Sequence, residues 1–171
     1  MTLSASLMSS EKDDWNTPNC VLFGVREVLG IIGLDPCHNE KSIVDAHCTI
    51  DKHQDGLKTA WWDVISSNGS AKTAFVNPPY GGKATLEWAA KIVKEADLGL
   101  EIIALVPART DTRAFQNYYL AKGDALCFWK GRLTFIGAPA PAPFPSAIVY
   151  FGHAIGAFRN AFEHFGHVMD L

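Results

Sequence analysis

No apolar run in this chain reaches the roughly 18 residues that a membrane span needs. The opening stretch, MTLSASLMSSEKDDW, has no basic start followed by an apolar block, so it does not carry the pattern of a secretory signal. Residues 1–14 read instead as a flexible tail before one domain over 15–171. The four cysteines, Cys20, Cys37, Cys48 and Cys127, form no CxxC pair. Free thiols in a reducing cytosol are therefore the default, and no disulfide framework is expected. Cys37, His38, His47, Cys48 and His53 match no standard zinc-ligand spacing, and no metal is expected. There is no G-x-G-x-x-G fingerprint, which argues against a dinucleotide cofactor. Internal repeats are also missing. The net charge of −3 argues against a surface coated in basic groups, although a local basic stripe can still hold phosphates.

What is present is an ordinary globular composition, with 48% hydrophobic and 19% charged residues, in a chain long enough for one sizeable core. The segment TPNCVLFGVREVL (17–29) reads as a helix, with Thr17 at the N-cap and Pro18 in its first position. Val21, Val25, Val28, Leu29 and Ile32 give it an apolar stripe at helical spacing. GLDPCH reads as a short strand stopping at Asp35-Pro36, and 42–50 as strand in part. TAFVN and LEIIALVP read as buried strands. ATLEWAAKIVKEADLG reads as a helix with Leu86, Ala89, Ile92, Val93 and Ala96 inward. DTRAFQNYYLAKG reads as a helix opened by Thr110 or Asp111. ALCFW, RLTFI and SAIVYFG read as strands, and AFRNAFEHFG as a closing helix. The proline-rich GAPAPAPFP (137–145) reads as an extended loop outside the core. Strands alternating with helices predict an α/β fold: a mostly parallel sheet, helices on both faces, and a β-rich C-terminal part.

In such sheets ligands bind beyond the carboxyl ends of the strands. FVNPPYGG (75–82) lies there. Pro78 and Pro79 stiffen the backbone, Asn77 brings an amide, and Tyr80 brings a flat ring. The Asn77 side-chain oxygen and the Pro78 carbonyl make two neighbouring acceptors beside a stacking face. That set suits a planar group bearing –NH2, whose lone pair turns outward once both hydrogens are accepted. Gly81 and Gly82 leave room for a ligand to approach.

NPPY in this setting resembles the catalytic motif of amino-group methyltransferases that use S-adenosylmethionine. WNTP (15–18), LDPC (34–37), DGL (55–57) with Trp61 and Trp62, VNPPYG, LVPART (105–110), GRLTF (131–135) and FPSAIVYF (144–151) follow in that order. Together they resemble the phage-type, Dam-like DNA adenine-N6 methyltransferases. The resemblance implies a Rossmann-like methyltransferase fold, S-adenosylmethionine as cofactor and double-stranded DNA as partner. It implies no membrane and no obligatory protein partner. The implied location is the cytoplasm of a bacterial host, with a phage or prophage origin. Adenine would be flipped from the duplex onto Tyr80 and would give its amino hydrogens to Asn77 and Pro78, with Pro79 stiffening the turn.

Trp15, Thr17, Pro18, Asp35, Cys37 and Asp55 are the implied cofactor contacts. Lys83, Arg109, Arg113 and Arg132 are the candidate DNA contacts, with Lys130 near them. Trp129 and Phe144 are either wedges or core. One departure stands out: the loop after the first strand, DPCHNEKS, has no glycine. Other targets for the same chemistry are an RNA base or a protein glutamine, and an inactive nucleic-acid-binding relative is a further alternative. Asn77→Ala is expected to abolish methyl transfer to DNA with the fold intact, as read by a tritiated-methyl assay alongside circular dichroism.

Overall fold

A computed structural model describes residues 15–171; the tail expected over 1–14 lies outside the described residues. The elements run α1 (Asn19–Leu29), β1 (Leu34–His38), β2 (Cys48–Asp51), α2 (Trp61–Ser67), β3 (Thr73–Val76), α3 (Ala84–Asp97) and β4 (Glu101–Pro107). A π-helical segment (Phe115–Leu120), β5 (Ala125–Trp129), β6 (Ser146–Phe151), α4 (Ile155–Phe162) and β7 (Gly166–Asp170) complete the chain.

One seven-stranded sheet has the order β2-β1-β3-β4-β6-β5-β7. The expected mostly parallel sheet is corrected to a mixed one. The β2-β1, β1-β3 and β3-β4 pairs are parallel. The β4-β6, β6-β5 and β5-β7 pairs are antiparallel. The change of direction comes from β6, which slots between β4 and β5 after the long 130–145 connection. Its first residue, Ser146, pairs with Pro107 at the end of β4. That connection therefore lies along the same edge as the carboxyl ends of β1 to β4.

The central strands β3, β4 and β6 are buried on both faces because helices cover both. Ile102, Ala104 and Val106 of β4 pack with Trp61, Trp88, Ile92 and Phe115. Ile103 and Leu105, pointing the other way, pack with Val21, Val25, Phe158 and Phe162. This alternation is the period of two that a strand imposes. Each fully buried aliphatic or aromatic side chain contributes roughly 1.5–3 kcal/mol, so the sheet is held by both layers. Among the described residues, no helix is long and apolar enough to cross a membrane.

Several boundaries moved. Pro18, not Thr17, is the N-cap of α1, and no side chain caps that helix. β1 does not stop at Asp35-Pro36 but runs on to His38, with an irregular register against β2. RLTFI is no strand: Ile136 makes a single bridge to Asn16. The helix after Arg109 is opened by Thr112, whose hydroxyl accepts the Phe115 N–H at 3.3 Å, rather than by Thr110 or Asp111. The proline-rich loop, expected to be extended and outside the core, turns at Gly137 and bends at 139–140 and 143–144, with Ala142 buried and Phe144 packed inward.

The DGL turn is shaped by close packing. A Cβ on Gly56 would lie 2.3 Å from the Pro36 carbonyl oxygen and 2.7 Å from the Trp88 ring. Gly56→Ala is expected to destabilise the fold by about 1–3 kcal/mol, lowering Tm by several degrees in a calorimetric scan. Gly81→Ala, with open space at its Cβ, is the control that leaves Tm in place.

Candidate active site

β3 ends at Val76, and the chain turns at once through Asn77, Pro78, Pro79 and Tyr80. The Asn77 side chain is fully engaged there. Its Nδ2 donates to the Trp15 carbonyl at 2.7 Å and to Thr17 Oγ1 at 3.1 Å. Its Oδ1 accepts from the Tyr80 hydroxyl, which also lies 3.2 Å from the Leu105 carbonyl. Burial raises the Tyr80 phenol well above its ordinary value, so it stays protonated and donates.

The sequence reading expects a free acceptor pair beside a presented ring; the structure corrects that arrangement. Tyr80 is folded inward, edge-on to Phe144 (5.3 Å between ring centres) and Phe135 (6.1 Å). Trp15 sits edge-on to Phe135 at 5.0 Å. These rings come from the 131–145 connection, which the topology lays over the strand ends. The phenol takes the acceptor on its own asparagine.

A cavity of about 690 Å³ opens beside this turn, walled by Pro36, Cys37, His38, Asp51, Asn77 and Pro79, with Trp88 behind. Asp51 closes β2, and its Oδ1 accepts the backbone N–H groups of His53 (2.8 Å) and Gln54 (3.0 Å). Those bonds, Gln54 first, hold its carboxyl below the usual range, so it is ionised at neutral pH. Sequence reasoning passed over Asp51. The signal was an acid at the end of the second strand, where ribose-binding carboxylates sit in doubly wound sheets.

Asp35 is nearly inaccessible and does not wall the cavity. Its Oδ1 accepts the Cys37 N–H at 3.0 Å and its Oδ2 the Ser42 hydroxyl at 3.2 Å, with His38 Nδ1 at 3.6 Å. Burial raises its carboxyl above the usual value despite these partners, which favour the charged form. The Asx turn at Asp35 therefore braces the glycine-free loop.

Asp55 does not line the cavity; it sits in a left-handed turn, paired with Lys58 at 2.8 Å. Thr17 is buried against Asn77, and Pro18 starts α1. Of the cationic candidates, Arg109 lies 5.9 Å over the Phe144 ring. Lys83 is exposed beside Glu87, while Arg113, Lys130 and Arg132 are exposed. Trp129 stacks on Phe165 at 4.8 Å and packs against the core. Among the described residues, no group of three or more His, Cys, Asp or Glu side chains gathers as a metal site.

The family profile of DNA N-6-adenine-methyltransferases (Dam) matches residues 4–145, well over half of the chain. The chain belongs to the DNA N-6-adenine-methyltransferase (Dam) family. No curated protein matches it. The span shared with the Dam family takes in every cavity-lining residue named above and the 131–145 connection, and stops just before β6.

Burial and the Asp35 charge raise the Cys37 thiol well above its ordinary value, only partly offset by the Asn77 N–H. At pH 8 it is a neutral thiol, which reacts slowly. Cys127 is likewise pushed up to about 12. Iodoacetamide at pH 8 is expected to label the exposed Cys20 before Cys37, Cys48 or Cys127, as read by peptide mass spectrometry.

Proposed function

We propose that this protein methylates the N6 amino group of adenine in double-stranded DNA, with S-adenosylmethionine held in the cavity at the ends of β1, β2 and β3. The observation that carries this reading is the Asn77 side chain. Its donors are both taken up by the 15–17 segment, so its oxygen, held by the Tyr80 hydroxyl, is the end left to accept from a substrate.

The cavity suits the cofactor. At about 690 Å³ it lies in the range of small-molecule sites, roughly 300–1,000 Å³. Pro36, Pro79 and Trp88 offer apolar walls. The ionised Asp51 has an oxygen beyond those bonds to His53 and Gln54, placed for a ribose diol. Cys37 lines the same wall, and Asp35 acts through the loop it braces rather than by contact. Trp15 and Thr17 hold Asn77 from behind through its amide nitrogen, and Pro18 starts α1 beyond them. S-adenosylmethionine, when bound, supplies an electrophilic methyl group on a sulfonium.

The chain's own residues prepare the amino group. The target base leaves the duplex, since its amino group is otherwise paired. It takes the place of the Tyr80 hydroxyl on Asn77 Oδ1, exchanging one N–H or O–H donor for another on the same oxygen. The second amino hydrogen goes to the Pro78 carbonyl, and the lone pair then points away from both. The Tyr80 ring, freed from Asn77, turns to stack on the base. Pro78 and Pro79 hold the acceptors in place, so no reorganisation is needed when charge develops. Arg109, backed by Phe144, faces the DNA, with Lys83, Arg113 and Arg132 on phosphates.

DNA from a methylation-deficient host expressing the protein is expected to carry N6-methyladenine in a defined sequence context. Sequencing that finds none, with the protein folded and abundant, rejects the reading. Methylation found on RNA or protein instead assigns another target. In calorimetry, Asp51→Ala is expected to weaken S-adenosylmethionine on the order of tenfold, about 1.4 kcal/mol, in keeping with one lost charged hydrogen bond.

A further inference from the structure

An asparagine amide can sit either way round, because its oxygen and nitrogen have nearly the same shape. One orientation presents an acceptor to an amino group and the other presents a donor, which repels it. Something must therefore decide which end of Asn77 faces the site. Three groups surround the amide. The Trp15 carbonyl, 2.7 Å from Nδ2, can only accept, so it forbids the flipped orientation, in which two oxygens would meet. Thr17 Oγ1, at 3.1 Å, takes the second amide hydrogen. The Thr17 and Tyr80 hydroxyls can each donate or accept, so neither chooses by itself; the Trp15 carbonyl makes the choice, and Thr17, by taking the second hydrogen, holds the amide in it.

The 15–17 segment is itself fixed. Thr17 is 3% exposed. The Asn16 carbonyl accepts the Ile136 N–H at 2.9 Å, and the Trp15 ring is wedged against Phe135 and Phe144. Pro18 opens α1 directly after it, and the Pro18 carbonyl accepts the Val21 N–H at 3.1 Å. Helix and bridge hold the segment from its two ends.

We propose that Thr17, together with the Trp15 carbonyl, is a positioning group for catalysis: the pair locks the Asn77 amide with Oδ1 toward the substrate. This rests on the reading of Asn77 as the acceptor for the adenine amino group. It gives Thr17 a task distinct from cofactor contact, and explains why a hydroxyl stands directly before Pro18 where no helix cap is formed.

The test uses the full chain and three variants. Thr17→Val keeps the shape and removes the acceptor; Thr17→Ser keeps the acceptor; Thr17→Ala is the fallback if valine disturbs folding. In the free protein, the Asn77 side-chain amide signals are identified by NMR through their loss in Asn77→Asp. Their hydrogen exchange is expected to speed up about tenfold or more in Thr17→Val, as one lost hydrogen bond implies, and to return to the wild-type rate in Thr17→Ser. In turnover, kcat is expected to fall about tenfold or more in Thr17→Val, with serine restoring it. The calorimetric Kd for S-adenosylmethionine stays within about twofold, because the lost bond lies within the protein.

Unchanged amide exchange in Thr17→Val and Thr17→Ala overturns the inference whatever the activity. A Kd that weakens in step with kcat also overturns it, making Thr17 a cofactor contact. A wild type that exchanges as expected but transfers no methyl group rejects the proposed function and leaves the locked amide standing, so the two failures are distinct.

Discussion

The side-chain amide of Asn77 is the knot on which this structure depends. One planar group, at the end of a buried strand, joins the 15–17 segment through its nitrogen and the Tyr80 ring through its oxygen. Through the Tyr80 hydroxyl it also reaches the Leu105 carbonyl of β4. Half-buried, these bonds are stronger than they would be in water, and an unpaired member costs correspondingly more. The amide can be this exacting only because the strand behind it is buried on both faces. Thr73 to Val76 pair in register with Glu101 to Ala104, which leaves the first residue of the turn little freedom.

The opposite wall of the cavity is held by a separate set of contacts. Gly56 lies against the Pro36 carbonyl and gives its own carbonyl to the Trp61 indole N–H at 2.7 Å. The segment before α2 is tied to α3 by Lys91, which bonds the Thr59 carbonyl at 2.7 Å and Glu95 at 2.6 Å. Glu95 in turn accepts the Trp61 backbone N–H at 3.4 Å. Both charges are almost wholly buried. A buried pair of this kind adds little net stability, since desolvation offsets attraction, but it leaves few alternative geometries. The cavity thus sits between two braced walls, one through Asn77 and one through α3.

The parts of the fold legible in the sequence are those with strong periodicity. α1, α3, β3, β4 and β6 carry apolar patterns that admit one reading, and the strand-edge location of NPPY follows from them. Strand direction was not legible. β4 and β6 are both buried along nearly their whole length, so their residues look alike although they run in opposite senses. α2, at seven residues, and β7, a mostly exposed edge, are too short or too polar to stand out. At the site, residue types were legible and partners were not. Thr17 before Pro18 has the form of a helix cap, yet its hydroxyl serves an amide 60 positions away. Asp35 has the form of a ligand and serves its own loop. Asp51 looked like any strand-end acid until the sheet placed it on the cavity. Local sequence records what a side chain can do, and only tertiary contacts decide for whom.

The bridge between Asn16 and Ile136 gives the molecule one more property. On the proposed reading the 131–145 connection faces the DNA, and such loops are the natural place for a lineage to vary its target sequence. In this chain that loop shares a backbone hydrogen bond and two ring contacts with the segment that steadies Asn77. Change in the loop is therefore felt at Asn77. Divergence of specificity in this chain is confined to residues that leave Phe135, Ile136 and Phe144 in place, which points to 137–141 as the stretch where new recognition can be tried without disturbing the chemistry.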